Sequence, residues 1–102
     1  MPIQVTDVPE RERFEARDSD ADDALAGFLT YQVTGAVIAV THLDVSPGYD
    51  GSGVDDALAR AAMDDARARR RTVVPIGPFL VDWVARHPEY RSIVAPGTKK
   101  IK

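Results

Sequence analysis

The sequence predicts an α/β (α+β) fold, in which an antiparallel meander of strands precedes a strand–helix–strand–helix unit. Two observations support this prediction. Apolar residues alternate with polar ones or run continuously in short segments over the first half of the chain, and from residue 54 they recur with the period of a helix. The later strand–helix–strand crossover is expected to make its two strands parallel neighbours.

Three segments predict the strands of the meander. "RFEAR" (13–17) alternates apolar and charged residues, which is typical of a half-buried strand. "ALAGFLTYQV" (24–33) and "AVIAVTHLDV" (36–45) are largely apolar, and the "TG" between them is a hairpin signal because glycine readily adopts a positive φ. The segment 36–45 has apolar residues at both odd and even positions, which point to opposite faces of a strand, so we expect it to be a central strand that is buried on both faces.

The crossover is predicted to begin with a helix at Val54 whose buried face includes Ala57, Leu58, Ala61, Ala62 and Ala68. Two pairs of acidic and basic residues spaced four apart would stabilise the helix on its exposed side: Asp56 with Arg60, and Asp65 with Arg69. The basic run "RARRR" (67–71) suits the negative end of the helix dipole. We interpret it as a solvated helix end rather than a nucleic-acid contact.

The last part of the chain predicts a strand and a second helix. "TVVPI" (72–76) is typical of a short buried strand, and "PFLVDWVARH" (78–87) of a helix with proline in its first turn. "PEYRSIV" (88–94) predicts a further turn, and "GTKKIK" (97–102) a basic tail.

Composition narrows the class of protein. The 102 residues fit a single domain, 1–102, and the net charge of −3 argues against general binding to nucleic acid or to an anionic membrane. The absence of cysteine excludes disulfides, thiolate metal sites and a cysteine nucleophile. With only two histidines, far apart, no metal site is predicted. No apolar run has the length of a membrane span or a signal peptide, so we expect a cytoplasmic protein. The oligomeric state is left open.

The stretch "SPGYDGSGVDD" (46–56) joins the central strand to the first helix. A glycine-rich loop at a helix N-terminus exposes backbone N–H groups at the positive end of the helix dipole, where phosphate binds. The alternative is a plain turn. Ser52 and Asp55 also form an S-x-x-D pattern, which predicts an N-terminal capping box.

Two residues on the central strand are candidates for acid–base chemistry. His42 and Asp44 are two residues apart, so their side chains point to the same face of the strand. An unperturbed histidine titrates near pH 6.5, which suits a general base. Asp44 would orient His42 or act through a water molecule. In the alternative reading, His42 is a structural histidine satisfied by hydrogen bonds and Asp44 caps the loop.

"VSPGYDGSGVDDALARAAMDDAR" resembles the acyl-CoA pyrophosphate loop and helix of the GNAT N-acetyltransferase superfamily. The residues that match its pattern are Val45, Pro47, Tyr49, Gly51, Gly53, Val54, Ala57 and Leu58. "RFEAR", "VVPIGPF" and "RHPEY" extend the similarity to the small single-domain GNAT-like proteins, over about residues 13 to 94.

This resemblance implies a GNAT-like fold with a splayed pair of parallel strands and acetyl-CoA as co-substrate. The pantetheine arm would pair near Leu43 and Val45, and the pyrophosphate would lie on backbone N–H groups of residues 50 to 54. The resemblance thus assigns the cofactor contacts to Leu43, Val45, Tyr49, Asp50, Gly51, Ser52, Gly53 and Val54, with Phe79 and Trp83 walling the thiol end.

The sequence departs from the family pattern at three positions. Asp50 stands where Arg or Gln is usual, Asp55 replaces Gly or Ala, and Gly77 replaces a cysteine found in many relatives. The resemblance implies an acetyl-CoA-dependent N-acetyltransferase that acts on an unknown amine by direct transfer. The two aspartates favour the alternative, a non-catalytic CoA-binding or protein-interaction module on the same fold.

Overall fold

A computed structural model describes residues 3–95, and its backbone is organised around one five-stranded sheet with the strand order β1-β2-β3-β4-β5. The predicted tail at 97–102 lies outside the described residues. The strands are β1 (Ile3–Val8), β2 (Arg13–Asp18), β3 (Ala24–Thr34), β4 (Val37–Val45) and β5 (Thr72–Pro75). The helices are α1 (Val54–Ala68) and α2 (Pro78–Ala85), and short 3₁₀ helices lie at Pro9–Arg11, Ser19–Ala21 and Pro88–Ile93.

The topology confirms the predicted fold class. Strands β1 to β4 form an antiparallel meander, and β5 pairs with β4 in parallel after the crossover through α1. Strand β1 was not predicted. Its residues alternate between half-buried and exposed positions over most of its length, as an edge strand does, and it pairs along its whole length with β2.

A β-bulge in β4 sets the direction of the side chains near its C-terminal end. Thr30 pairs with His42 whereas Tyr31 pairs with Val40, so Thr41 is the extra residue of the bulge. A bulge reverses the alternation of side chains beyond it. As a result Val40 and Leu43 face one side of the sheet, and His42 faces the other.

The helices lie on one face of the sheet. Helix α1 packs against β1 to β5, and a Cβ atom added to Gly27 in β3 would lie 2.9 Å from Val54 and 3.4 Å from Leu58 of α1. Glycine at position 27 therefore lets the helix approach the sheet closely. The buried residues of α1 are Val54, Leu58, Ala59, Ala62, Met63 and Ala66. The predicted face was wrong at Ala68, which is exposed, and it lacked Ala59, Met63 and Ala66.

Polar and aromatic contacts attach α2 and the last 3₁₀ helix to α1. Trp83 is 1 % exposed and donates its indole N–H to Asp56 Oδ1 at 2.9 Å. The ring of His87 stacks on Trp83 at 3.8 Å between centroids, and the hydroxyl of Tyr90 donates to Asp64. The "HPEY" segment thus holds the C-terminal helices against α1.

Candidate functional site

The loop between β4 and α1 is shaped by three glycines with positive φ. Gly48, Gly51 and Gly53 have φ values of 93°, 77° and 90°, in the left-handed region that other residues rarely adopt. No heavy atom outside the neighbouring residues lies within 4 Å of a Cβ built at any of the three. The loop therefore presents open backbone at the N-terminus of α1.

Tyr49 anchors this loop to the C-terminal end of β2, two strands away at the same end of the sheet. Its hydroxyl donates to Oδ2 of Asp18 at 2.8 Å, and Oδ1 of the same carboxylate accepts from Asp20 N at 3.0 Å. The hydrogen bond to Asp18, together with burial, raises the pKa of Tyr49 above its ordinary value. Tyr49, which the resemblance placed among the cofactor contacts, thus positions the loop in this structure.

Most of the backbone N–H groups at the start of α1 are available to a ligand. Ser52 N donates to Tyr49 O at 3.1 Å and Asp56 N donates to Asp55 Oδ1 at 2.8 Å, so these two donors are occupied. Within residues 3–95, the N–H groups of Gly51, Gly53, Val54 and Asp55 have no protein acceptor. The first turn of a helix leaves such donors free, and anions bind there.

The predicted capping box is wrong. The residue that caps α1 is Gly53, and no side chain accepts a hydrogen bond in the capping position. Ser52 Oγ donates instead to Tyr49 O at 2.6 Å, because the left-handed Gly51 and Gly53 turn Ser52 back into the loop. Asp55 binds the neighbouring N–H of Asp56, and Asp50 is exposed. Two carboxylates therefore lie at the helix end that would receive a pyrophosphate.

Strands β4 and β5 separate after a short parallel ladder. Their pairing runs from Val37–Thr72 to Val40–Pro75, and a last bond joins Ile76 N to Val40 O at 3.1 Å. Beyond it a gap opens whose lining residues come from β3, β4 and the start of α2: Leu29, Val40, His42, Leu43, Gly77, Phe79 and Leu80. His42 is the only histidine among them, and none of the others is acidic or basic, so it is the candidate general base of the gap.

The structure does not join His42 to Asp44. Both side chains are exposed, and among the described residues no hydrogen bond links them. His42 instead lies beside the ring of Phe28, with 6.3 Å between ring centroids. A base at His42 would therefore act without an orienting carboxylate from Asp44.

The remaining predicted cofactor contacts divide between the gap and the core. Leu43 and Phe79 line the gap, and Val45 is half-buried at the end of β4. Trp83 lies in the core, because its indole N–H bonds to α1 rather than facing the gap. A Cβ atom at Gly77 would meet Thr41 O at 3.7 Å, an ordinary contact, so packing does not require glycine there.

Asp18 is the site-supporting residue that the sequence did not indicate. It is 6 % exposed and lies 31 residues from Tyr49 in the chain. Within "DSDADD" it is one of four aspartates, and no local pattern distinguishes the one that reaches the loop.

The family model of the GCN5-related N-acetyltransferases matches residues 13–93, and the chain belongs to this family. Members of the family transfer an acetyl group from acetyl-CoA to an acceptor. A search of curated protein sequences gave no match.

Solved structures show the same fold. The chain superposes with a TM-score of 0.68 on a GCN5-like protein from Staphylococcus aureus, at 19 % identity, covering 90 % of this chain and 87 % of that one. A ribosomal-protein-alanine N-acetyltransferase from Brucella melitensis gives 0.55 at 27 % identity, covering 81 % and 60 %. The N-acetylglutamate synthase of Neisseria gonorrhoeae, complexed with coenzyme A and N-acetyl-glutamate, gives 0.58 at 19 % identity, covering 79 % and 23 %. The chain spans less than two thirds of the last two proteins.

Neither helix within residues 3–95 is long and apolar enough to cross a bilayer. In the same range, no three His, Asp or Glu side chains are grouped so that they would hold a metal ion.

Proposed function

We propose that this protein transfers the acetyl group of acetyl-CoA directly to an amine. The observation that carries the proposal is the gap between β4 and β5, which begins where the parallel ladder ends and has His42 among its lining residues. The free N–H groups at the N-terminus of α1 support it, because they would bind the pyrophosphate of the same acetyl-CoA molecule.

The pantetheine arm would lie in the gap and pair with the backbone of β4 near Leu43 and Val45, in place of the missing ladder with β5. Leu43 and Phe79 would contact the thiol end. A backbone N–H at the separated strand would polarise the thioester carbonyl, which lowers the barrier to attack.

In the reaction, the amine nitrogen attacks the thioester carbon and the carbon–sulfur bond breaks, so that coenzyme A leaves as a thiolate. His42 would take a proton from the attacking nitrogen and return it to the thiolate. Direct attack suits this site because the residues that line the gap include no serine or cysteine nucleophile.

The test measures coenzyme A thiol release with a panel of primary amines, together with calorimetric binding of acetyl-CoA. The change His42→Ala is expected to lower kcat by roughly 10²–10⁴-fold with little effect on acetyl-CoA affinity. Asp44→Asn is the matched comparison, and a small effect is expected because Asp44 makes no bond to His42. If His42→Ala retains full activity, His42 is not the base.

A second candidate function is binding of coenzyme A without catalysis. The observation that favours it is the negative charge at the loop, where Asp50 and Asp55 lie beside the N–H groups that would hold the pyrophosphate. Saturable binding of acetyl-CoA without thiol release for any amine would select this candidate.

A further inference from the structure

The face of the sheet opposite α1 carries no helix among the described residues. In β3, Gly27 faces α1, so Phe28 and Thr30 face away from it. Residues directly opposite one another on adjacent strands share a face. Glu15 and Asp44 pair with Phe28, and Arg13 and His42 pair with Thr30. We call this surface the open face; its central residues are Arg13, Glu15, Phe28, Thr30, His42 and Asp44.

The open face carries an excess of positive charge on an otherwise acidic protein. Three guanidinium groups share the single carboxylate of Glu15: Arg13 at 2.7 Å, Arg17 at 2.8 Å and Arg11 at 3.7 Å. Glu15 is 5 % exposed, and hydrogen bonds from Arg17 and Arg13 lower its pKa. With Asp44, which also lies on this face, two carboxylates stand against three guanidinium groups, so one positive charge remains for another anion.

This charge is concentrated at Arg13 and Arg11. Arg17 also donates to the carbonyl of Asp23 and faces the acidic turn between β2 and β3. Arg13 instead lies over the ring of Phe28, with its Cζ atom 4.7 Å from the centroid. Its Nε and one terminal nitrogen bond the same oxygen of Glu15, which leaves donors on the other terminal nitrogen.

The same phenylalanine connects the arginine to the gap. Phe28 contacts Arg13 on one side and His42 on the other, and His42 both lies on the open face and lines the gap between β4 and β5. A ligand on the open face could therefore contact the gap at one end and Arg13 at the other, separated by one phenylalanine side chain.

From this arrangement, and resting on the proposed transferase function, we propose that the acceptor is a small primary amine that carries a carboxylate. The amine lies at His42, the carboxylate bonds Arg13 and Arg11, and an aliphatic chain between them packs on Phe28. Complementary charge would both orient such a ligand and discriminate against amines with a second positive charge.

Three amines of equal chain length test the proposal with the intact 102-residue chain. 6-Aminohexanoate carries a carboxylate, hexylamine is neutral at that end, and 1,6-diaminohexane carries a second cation. Binding is followed by amide shifts in an ¹⁵N-labelled sample. We expect 6-aminohexanoate to bind roughly tenfold more tightly than hexylamine, the effect of about one charge-assisted hydrogen bond, and the diamine to bind most weakly. The largest shifts should lie at Phe28, Thr30 and His42.

Two variants and a control locate the effect. Arg13→Gln should bring the three affinities within about twofold of each other, and Arg11→Gln, at a side chain that is 63 % exposed and so tolerant of change, should narrow the differences partly. Arg86→Gln removes the arginine that directly follows α2 and pairs with Asp82, and it should leave the order of affinities unchanged. A thermal melt checks that each variant is folded.

Equal binding of the three amines by the parent protein, or shifts confined to other surfaces, would overturn the proposal. Sedimentation of the chain as a dimer whose open face is covered would overturn it as well. Failure of the proposed function has a separate signature: acetyl-CoA leaves the amides of residues 50–54 unshifted while the preference for 6-aminohexanoate persists, which supports the anion site alone. If acetyl-CoA shifts those amides but the preference is absent, the acceptor proposal fails and the transferase proposal stands.

Discussion

Replacing Asp55 tests whether the N-terminus of α1 holds the pyrophosphate of acetyl-CoA. Its carboxylate accepts from Asp56 N at 2.8 Å, so it both occupies a donor of the first helical turn and places a negative charge there. Two changes separate these effects. Asp55→Asn removes the charge but keeps an oxygen that can accept the hydrogen bond, whereas Asp55→Ala removes both.

The magnitude follows from the charge and the distance. A phosphate oxygen bound at the same helix end would lie roughly 4–6 Å from the carboxylate, and at ~4 Å two unit charges repel by ~1 kcal/mol in water and by ~4 kcal/mol at an effective dielectric constant of about 20. Asp55 is only half-buried, which favours the lower part of this range. We expect Asp55→Asn to tighten acetyl-CoA binding by about 1–2 kcal/mol, or roughly 5–30-fold. Asp55→Ala should tighten acetyl-CoA binding further, by about 0.5–1.5 kcal/mol, because it also frees the N–H of Asp56 for the ligand.

The two changes should also weaken the helix. A carboxylate near a helix N-terminus contributes about 0.3–1 kcal/mol, which Asp55→Asn removes, and Asp55→Ala additionally removes the hydrogen bond. A loss of 1 kcal/mol lowers the melting temperature of a domain of this size by about 4–8 °C. Tighter binding together with lower stability is the expected signature.

Isothermal titration with acetyl-CoA at low and high salt measures the effect, and the gain should shrink as salt screens the charge. Asp82→Asn is the control, because it removes the same charge from an exposed position on α2. If Asp82→Asn tightens binding as much as Asp55→Asn, the effect is one of net charge. If neither Asp55 variant changes the affinity, the helix N-terminus does not hold the pyrophosphate.

Three further changes test other parts of the structure. Asp50→Arg should tighten acetyl-CoA binding by about 1–3 kcal/mol with little effect on stability, since Asp50 is an exposed loop residue; an unchanged dissociation constant would count against the loop as the pyrophosphate site. Tyr49→Phe leaves the buried carboxylate of Asp18 without one partner, so we expect a loss of about 1–3 kcal/mol in urea unfolding and faster amide exchange in residues 50–54, and a loss of stability with unchanged loop exchange would show that the bond does not position the loop. Glu15→Gln should cost about 1–3 kcal/mol at pH 7. Because the folded-state pKa of Glu15 is lowered, its contribution is present above about pH 4.3, the unfolded value, and is lost as the pH falls through the lowered value. The difference from the parent protein should therefore narrow as the pH falls below about 4.3, and a difference that is constant between pH 7 and pH 3 would refute this assignment.

Strands and helices whose apolar residues recur with a clear period were predictable, because each element buries one face and the residues on that face recur with the period of the element. The segments predicted at 13–17, 24–33 and 36–45 correspond to β2, β3 and β4 with shifts of one residue at their ends. Strand β1 was missed because an edge strand buries little surface and its pattern is weak.

Sequence alone also located the loop, since glycines in a strand–loop–helix unit are a local feature, whereas the gap between the parallel strands was implied by the resemblance to the GNAT family. It identified His42 as the candidate base and the acidic residues Asp50 and Asp55 as departures from the family pattern. The loop and the strand position of His42 depend on spacing along a single segment, and the departures at Asp50 and Asp55 depend on comparison with the family pattern, so none of them requires a structure.

Only the tertiary structure decided which groups meet across the chain. The bond between Tyr49 and Asp18, the burial of Trp83 against Asp56 and the bulge at Thr41 that turns His42 to the open face all arise from contacts between distant segments. The sequence around several aspartates and arginines does not distinguish one from another, and only the strand register determines which of them lie together. The arginines around Glu15 are an example, because only the folded sheet places Arg13 beside both Glu15 and Phe28.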